Sequence, residues 1–468
     1  MICFLPHRKT EASFIKILLL EGMMGEKMMS WAHSKTALFA TTAIAASVAA
    51  SSAFAGSFAL REQSAYYQGM SFAGNATTGP SISSMFWNPA TITGAKDGLT
   101  FEAHNSFILP QAEINGTHTQ GANSLGAGVP PVDVVTNVAT GDIGSDAWIG
   151  STYAAYKLSD QVFLGMAVTA PFGLSTKVDD PSWAGAAYNR SSKVFSINAN
   201  PIVGYKLNDM FSFAVGAQIQ YIDVRLTNAA ASPLANLGTT MLEGTSTSVG
   251  VTAGLTFKPF EGTEIGLGYR SAIAHGLTGN VYLPVTPTGT TLPAGSYGIS
   301  TTLITPEMVT LSAKQDVTDK IRLLGTFEWT NWSRLEAPKV LLSDLGNAQL
   351  TSLPFNYEDG YFASLGAEYD FNDQITLRAG AAYEWSPIST KVRSARLPDN
   401  DRIWVSAGGS YNFNDSLSFD LGYTHIFGTD TDINIVDGHQ DYSSTKGSLV
   451  GTVDSSVDIF TASMRYTF

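Results

Sequence analysis

The feature that most restricts this chain is a side-chain alternation of period two, repeated in segment after segment from about residue 97 onward. Between Met210 and Tyr221 one face carries Phe211, Phe213, Val215, Ala217, Ile219 and Tyr221, and the other Ser212, Ala214, Gly216, Gln218 and Gln220. Residues 375–385 set Ile375, Leu377, Ala379, Ala381, Tyr383 and Trp385 against Thr376, Arg378, Gly380, Ala382 and Glu384. Successive strand side chains point to opposite faces, whereas a helix repeats every 3.6 residues, so these are half-polar strands. The pattern predicts about fourteen, near 97–112, 146–158, 161–174, 193–207, 210–226, 246–258, 263–283, 305–317, 320–341, 360–371, 374–388, 401–413, 416–428 and 457–468.

The connections between them are asymmetric. Six are tight turns: Ser159-Asp160, Asn208-Asp209, Glu261-Gly262, Thr318-Asp319, Asn372-Asp373 and Asn414-Asp415. They alternate with seven long stretches, which puts every long loop at one end. Apolar faces edged with aromatics, short turns on one side and long loops on the other describe a transmembrane β-barrel of the outer membrane. A charged side chain on the lipid face costs about 2–4 kcal/mol at the midplane. Arg270, Glu328, Glu368, Arg378, Glu384, Asp420 and Arg465 all fall opposite the aromatics, so they are expected to point inward. An even strand number leaves both ends on the periplasmic side. The last strand alternates Phe460, Ala462, Met464, Tyr466 and Phe468 with Thr461, Ser463, Arg465 and Thr467. A terminal aromatic on such a strand resembles the signal read by outer-membrane assembly machinery, making Phe468 the expected contact.

Lys35, the Ala-rich run Ala37–Ala49 and Ala53-Phe54-Ala55 before Gly56 read as a secretory signal with its cleavage site, residues 1–55. Residues 1–27 precede a start at Met28 or Met29 and read as an over-extended gene start. The only cysteine, Cys3, falls there, so disulfides do not stabilise the mature chain. Removing residues 1–55 moves the formal charge from −13 (27 basic against 40 acidic) to −15 (22 against 37). Such an acidic chain is a poor nucleic-acid binder.

Enzymatic patterns are scarce. The chain carries no nucleophile elbow, zinc-protease motif, phosphate loop or dinucleotide fingerprint. The histidines His104, His118, His275, His425 and His439 have no metal-site spacing, and Asp430, Asp432, Asp437 and Asp441 match no calcium loop. No catalytic residue, cofactor or metal is expected. Residues 56–96 differ from everything after them. They lack alternation, yet Phe58, Leu60, Tyr66, Tyr67, Phe72, Met85, Phe86 and Trp87 make them too apolar for a disordered tail. A fourteen-strand barrel is wider than side chains alone fill. Residues 56–96 are therefore expected as a plug inside the lumen, with 97–468 as the barrel. In the third strand Pro171 cannot donate to the ladder, so it either kinks the strand or ends it.

Taken together, Trp87-Asn88-Pro89-Ala90, "APFGLSTKVDD" (Ala170–Asp180), "SINANPIVGYKLND" (Ser196–Asp209), "TNWSRLEA" (Thr330–Ala337), "SLGAEYDFNDQITLRAGAAYEWSP" (Ser364–Pro387) and "LPDNDRIWVSAGGSYNFND" (Leu397–Asp415) resemble the FadL family. These are outer-membrane transporters of long-chain fatty acids and hydrocarbons, and the likeness covers nearly all of 56–468. The resemblance implies an all-β, fourteen-stranded barrel with an N-terminal hatch. Asn88, Pro89 and Ala90, after Trp87, would match the hatch's signature turn, and Phe58 and Leu60 the extreme N-terminus that reaches an apolar pocket. Pro171, Phe172 and Gly173 would mark a kink that opens the wall sideways.

The expected function is passive uptake of a long-chain fatty acid. Cargo would adsorb on outer loops (Leu234, Leu237, Met241 and Leu242, or Val340, Leu341 and Leu342), enter a pocket and leave past Pro171 when the hatch moves. Arg378 and Arg190 are the candidate partners for a carboxylate. Aromatic or alkane hydrocarbon uptake is the alternative within the family, and a lipid hydrolase or a non-specific porin the alternatives outside it. Lipid is the expected surround and a monomer the expected state.

Overall fold

The computed structural model describes residues 57–121, 133–230, 238–287 and 291–468. The expected signal segment, with its cleavage site at Gly56, lies outside the described residues, as do Leu234 and Leu237. The described residues form one antiparallel sheet closed into a ring of fourteen strands. In chain order they are β1 (Leu99–Gln120), β2 (Ala147–Lys157), β3 (Val162–Thr169, resuming at Gly173–Lys177), β4 (Ser191–Lys206), β5 (Phe211–Ala229) and β6 (Thr239–Phe260). There follow β7 (Thr263–Arg270, resuming at Ile273–Leu283), β8 (Gly295–Thr305, resuming at Met308–Thr318), β9 (Ile321–Thr330), β10 (Gly360–Asp370) and β11 (Ile375–Trp385). The last three are β12 (Arg402–Asn412), β13 (Leu417–Gly428) and β14 (Ser448–Thr467). Each strand pairs with the next, and β14 closes on β1 from Thr100↔Thr467 to Thr119↔Ser448. Closing the ring leaves no free edge strand to template aggregation, and the ladders satisfy the backbone within lipid except where β3 is interrupted.

The short turns share one design. Ser159 Oγ, Asn208 Oδ1, Thr318 Oγ1, Asn372 Oδ1 and Asn414 Oδ1 each accept hydrogen bonds from the backbone N–H groups two and three residues on. The side chain thus replaces a backbone turn bond, which is why these residue types sit there. The sixth turn instead uses Gly262 at φ 75°.

Strand ends depart from expectation for identifiable reasons. β1, β6, β8 and β14 run further outward than their alternation implies, because the ladder continues past the apolar band where one face no longer needs to be greasy. β9 stops at Thr330 instead of reaching 341. Trp332–Arg334 turns as a short 3₁₀ segment, and Lys339–Leu342 returns separately to pair with β8. The seven charged residues assigned inward are all buried, Glu328 and Asp420 to 1% exposure, while Leu365 on the other face is 74% exposed. β3 is interrupted at residues 170–172 and then resumes against β4, so Pro171 breaks the strand and does not end it.

Bonds to inward groups from β1 round to β13 surround residues 57–96. Glu102 holds Ser81 and the Ile82 N–H, Thr326 the Gly74 N–H, Ser406 the Ser71 hydroxyl and Thr424 the Gln68 amide. The segment coils as the single turn α1 (Ala65–Gln68) and two 3₁₀ stretches, Ile82–Phe86 and Pro89–Gly94. Its backbone lies directly on the wall at Gly266 and Gly268. A β-carbon there would stand 1.8 Å from the Ala76 carbonyl oxygen and 1.8 Å from the Trp87 carbonyl oxygen, so only glycine admits the approach.

Candidate functional site

A cavity of about 630 Å³ lies beneath the outer loops. Its body is apolar, with Phe58, Leu174, Val194, Val224, Leu277 and Leu303 among its lining. Four charged side chains border it: Glu243, Arg396, Asp441 and Lys446. Arg396 comes from the loop between β11 and β12. Among the described residues its guanidinium donates only to neutral acceptors, namely Asn189, Ser192, the Thr227 carbonyl and Asn228 at 3.0–3.4 Å. Lys446, in the loop before β14, holds its ammonium 5.1 Å from the Tyr188 ring centre. Among the described residues no carboxylate lies within ion-pair distance of either cation; Asp441 acts on both from further off. Burial pushes Arg396 down to about 10 and Lys446 below the usual lysine range. Both side chains are half-buried, and two cations without a close carboxylate leave this end of an otherwise greasy cavity able to take an anionic group.

Below the cavity stands Phe58. Its ring meets Trp332 at 4.7 Å and Phe172 at 5.9 Å, and Trp332 in turn meets Tyr357 at 6.4 Å. The Ser57 N–H donates to Asp399. Ala59 bridges to Phe172 as an added strand residue, with Leu60 N donating to Pro171 O at 2.8 Å and Gly173 N to Phe58 O at 2.9 Å. Two groups of sequence-predicted residues, Phe58 with Leu60 and Pro171 with Phe172 and Gly173, are thus one site. A narrow space of about 50 Å³ beside Leu60, Trp87, Pro171 and Phe172 lies next to it.

Asn88-Pro89-Ala90 stands apart, against β6 and β7, while Trp87 before it reaches the narrow space. Asn88 caps the 3₁₀ segment through Oδ1, which accepts from Ala90 N, and Pro89 takes the first helical position where no N–H is needed. Its Nδ2 donates to Ala76 O at 2.7 Å and to Leu255 O on β6 at 2.9 Å. Trp87 packs edge to face with Tyr67 and Phe86.

Three expectations need correction. Arg378 is a wall residue, bonded to Glu368 at 2.7 Å and Ser410 at 2.7 Å with Tyr66 stacked 3.6 Å away. Arg190 donates to Pro181 O, Gly238 O and Thr239, bracing the loops. Neither borders the cavity. Val340 and Leu342 are buried in a small cluster with Val281, Leu283 and Ile299, so they offer no adsorbing surface. Leu341 is half-buried in the same short strand, and Met241 and Leu242 are half-buried with Leu242 lining the cavity. Phe468 is 58% exposed, its N–H donating to Leu99 O. The cavity cations escaped sequence reasoning because they lie in long loops without periodicity. No local pattern marks Arg396 or Lys446.

The family model described as "Outer membrane protein transport protein (OMPP1/FadL/TodX)" matches residues 46–468. The long-chain fatty acid transport protein of Salmonella typhi is 28% identical over 448 residues, covering 90% of this chain and 98% of that protein. Among solved structures, a Pseudomonas aeruginosa FadL homologue superposes with a TM-score of 0.77 at 23% identity, covering 88% of this chain and 100% of that one. The Ralstonia pickettii toluene transporter TbuX gives 0.61 at 16% identity, covering 86% and 97%. At these identities the two structures speak for the fold alone.

Proposed function

This chain belongs to the OMPP1/FadL/TodX family of outer membrane protein transport proteins and is a β-barrel of the bacterial outer membrane that moves hydrophobic compounds, and on that premise we propose that its cargo is a long-chain fatty acid. The observation that supports this reading is the cavity with an apolar body and two cations lacking a close carboxylate, Arg396 and Lys446. Burial of each methylene contributes about 0.8 kcal/mol, so an acyl chain favours such a site by on the order of ten kcal/mol over water. The carboxylate takes the cationic end, where charge-assisted bonds form without further desolvation of the protein.

The route is passive. Cargo enters below the outer loops and rests above Phe58. It passes on when residues 57–96, acting as a hatch, give way. Release is sideways through the interruption of β3 at Pro171. The chain works as a transporter and carries out no chemical conversion, in keeping with relatives named as transport proteins. A monomer suffices for this route, and Phe468 is the contact for barrel assembly. A filled cavity tests the reading: Leu303→Trp should abolish oleate binding by protein in lipid nanodiscs, and undiminished binding would place the cargo elsewhere.

A second reading is uptake of monoaromatic hydrocarbons, favoured by the aromatic group Phe58, Phe172, Trp332 and Tyr357 around the N-terminus. Competition between oleate and toluene for the cavity separates the two.

A further inference from the structure

The wall between β2 and β3 is incomplete. Their ladder runs from Lys157↔Phe163 to Thr152↔Val168 and stops. Beyond it, Ala147–Ser151 pair with β1, and Gly173–Lys177 pair with β4, but not with each other. The two chains meet again where Gly144 bridges Thr176 and Lys177 N donates to Ile143 O at 3.0 Å. Between these closures lies a window. Its lower sill, Thr152, is four residues along β2 from the outward-facing Tyr156, about 13 Å of strand. At that height it faces the apolar band of the bilayer, which is about 25 Å tall.

Backbone groups at such an edge need partners, because lipid supplies none and each unsatisfied group costs several kcal/mol. Residues 58–60 pair with 171–173 and satisfy part of the β3 side. Ala170 is left over, and one side chain takes both its groups. Gln63 Nε2 donates to Ala170 O at 2.8 Å, and Gln63 Oε1 accepts from Ala170 N at 3.3 Å. The same Oε1 accepts from Ser151 Oγ on β2 at 2.8 Å, and Nε2 also donates to Leu60 O at 3.1 Å. Both donors and both acceptor positions of the amide are used, which fixes its orientation. Tyr153 on β2 donates to the Gln63 carbonyl at 2.8 Å, and Gln63 is fully buried. The amide occupies the role of a peptide group from a missing neighbouring strand, joined to β2 on one side and β3 on the other.

We propose that Gln63 is a positioning residue that latches this window: its side chain supplies the missing ladder link between β2 and β3. Withdrawal of residues 58–63 then removes the added strand and the latch in one movement. This rests on the reading that cargo leaves through the break in β3. It adds which bond must part first, and it ties exit to the position of the N-terminal segment.

The test uses the mature barrel in lipid vesicles, with a reporter at Leu60→Cys behind the window and a maleimide dissolved in the bilayer. Heat-shifted gel migration checks folding. Gln63→Ala should raise the labelling rate about tenfold, the change expected from losing roughly 1.4 kcal/mol of net bonding in the closed state. Gln63→Glu sets a carboxylate oxygen against the Leu60 and Ala170 carbonyls in a buried site, so at pH 8 it should open the window at least as much as Gln63→Ala. Ser151→Ala, which removes one bond, should give a smaller rise and carries the test if Gln63→Ala does not fold. Labelling unchanged across the variants overturns the latch. Oleate transfer is measured on the same vesicles: labelling that rises without faster transfer upholds the latch and sinks the exit route.

Discussion

Lys446→Met is the most informative single change in the cavity. The ammonium makes no hydrogen bond among the described residues and rests over Tyr188, so its removal disturbs little else. Arg396 is less suitable, since it also holds Asn189, Ser192, Thr227 and Asn228. A hydrogen bond to a charged group contributes about 1.5–3 kcal/mol. Losing one should weaken oleate by roughly ten- to a hundredfold in Kd. Methionine keeps the length and apolar character of the stem, so the acyl chain's burial is retained. Methyl oleate and toluene, which carry no charge, should bind both forms alike. Calorimetry in nanodiscs with the three ligands reads the difference. Equal oleate affinity in wild type and Lys446→Met, with Leu303→Trp still blocking, would refute the headgroup assignment and leave an apolar site indifferent to charge.

Other outcomes follow from neighbouring observations. Because burial holds the Lys446 ammonium below the ordinary lysine range, oleate affinity should fall as pH rises and do so earlier than for an exposed lysine; a flat profile in wild type contradicts this. Burial, aided by Glu384, raises the Glu62 carboxyl to about 7 against the opposing pull of Arg61 and Arg402. A raised carboxyl favours docking of residues 57–64 fully below about pH 4.5 and loses that contribution as pH climbs through 7, so amide protection there, taken relative to the intrinsic exchange rate at each pH, should be greater at pH 5.5 than at pH 8, with Glu62→Gln removing the difference in protection. Asn88→Ala strips two donations and a cap from a buried site and should destabilise the N-terminal segment by about 2–4 kcal/mol while the barrel keeps its gel migration. Hydrogen exchange across residues 57–96 checks it.

Much of the fold was legible because alternation and turn chemistry are local. Phe213 and Leu365 had to face lipid once Gln218 and Glu368 had to avoid it, and Asn208, Asn372 and Asn414 announced their own turns. Asn88-Pro89-Ala90 was expected as a turn from the family resemblance, and the cap that Asn88 forms there came only with the structure. Contacts set by register were not. Arg378 looked like a spare lumen cation until Glu368 proved to lie directly across from it on β10. The cations that border the cavity sit in loops whose sequence carries no period, so only their placement in space distinguishes them. Gln63 gave no signal at all, since its partners Ser151 and Ala170 are far along the chain.

Ala59 and Phe172 form a bridge of the closely spaced, non-hydrogen-bonded type, with Cα atoms expected about 4.5 Å apart, within disulfide range. The double variant Ala59→Cys/Phe172→Cys therefore locks the N-terminal segment onto β3 reversibly. The decisive measurement is oleate transfer into vesicles carrying this variant of the mature barrel, before and after reduction. Transfer that is lost on oxidation and restored by reductant is predicted if the segment gates the route at β3. Equal transfer in both states would contradict it.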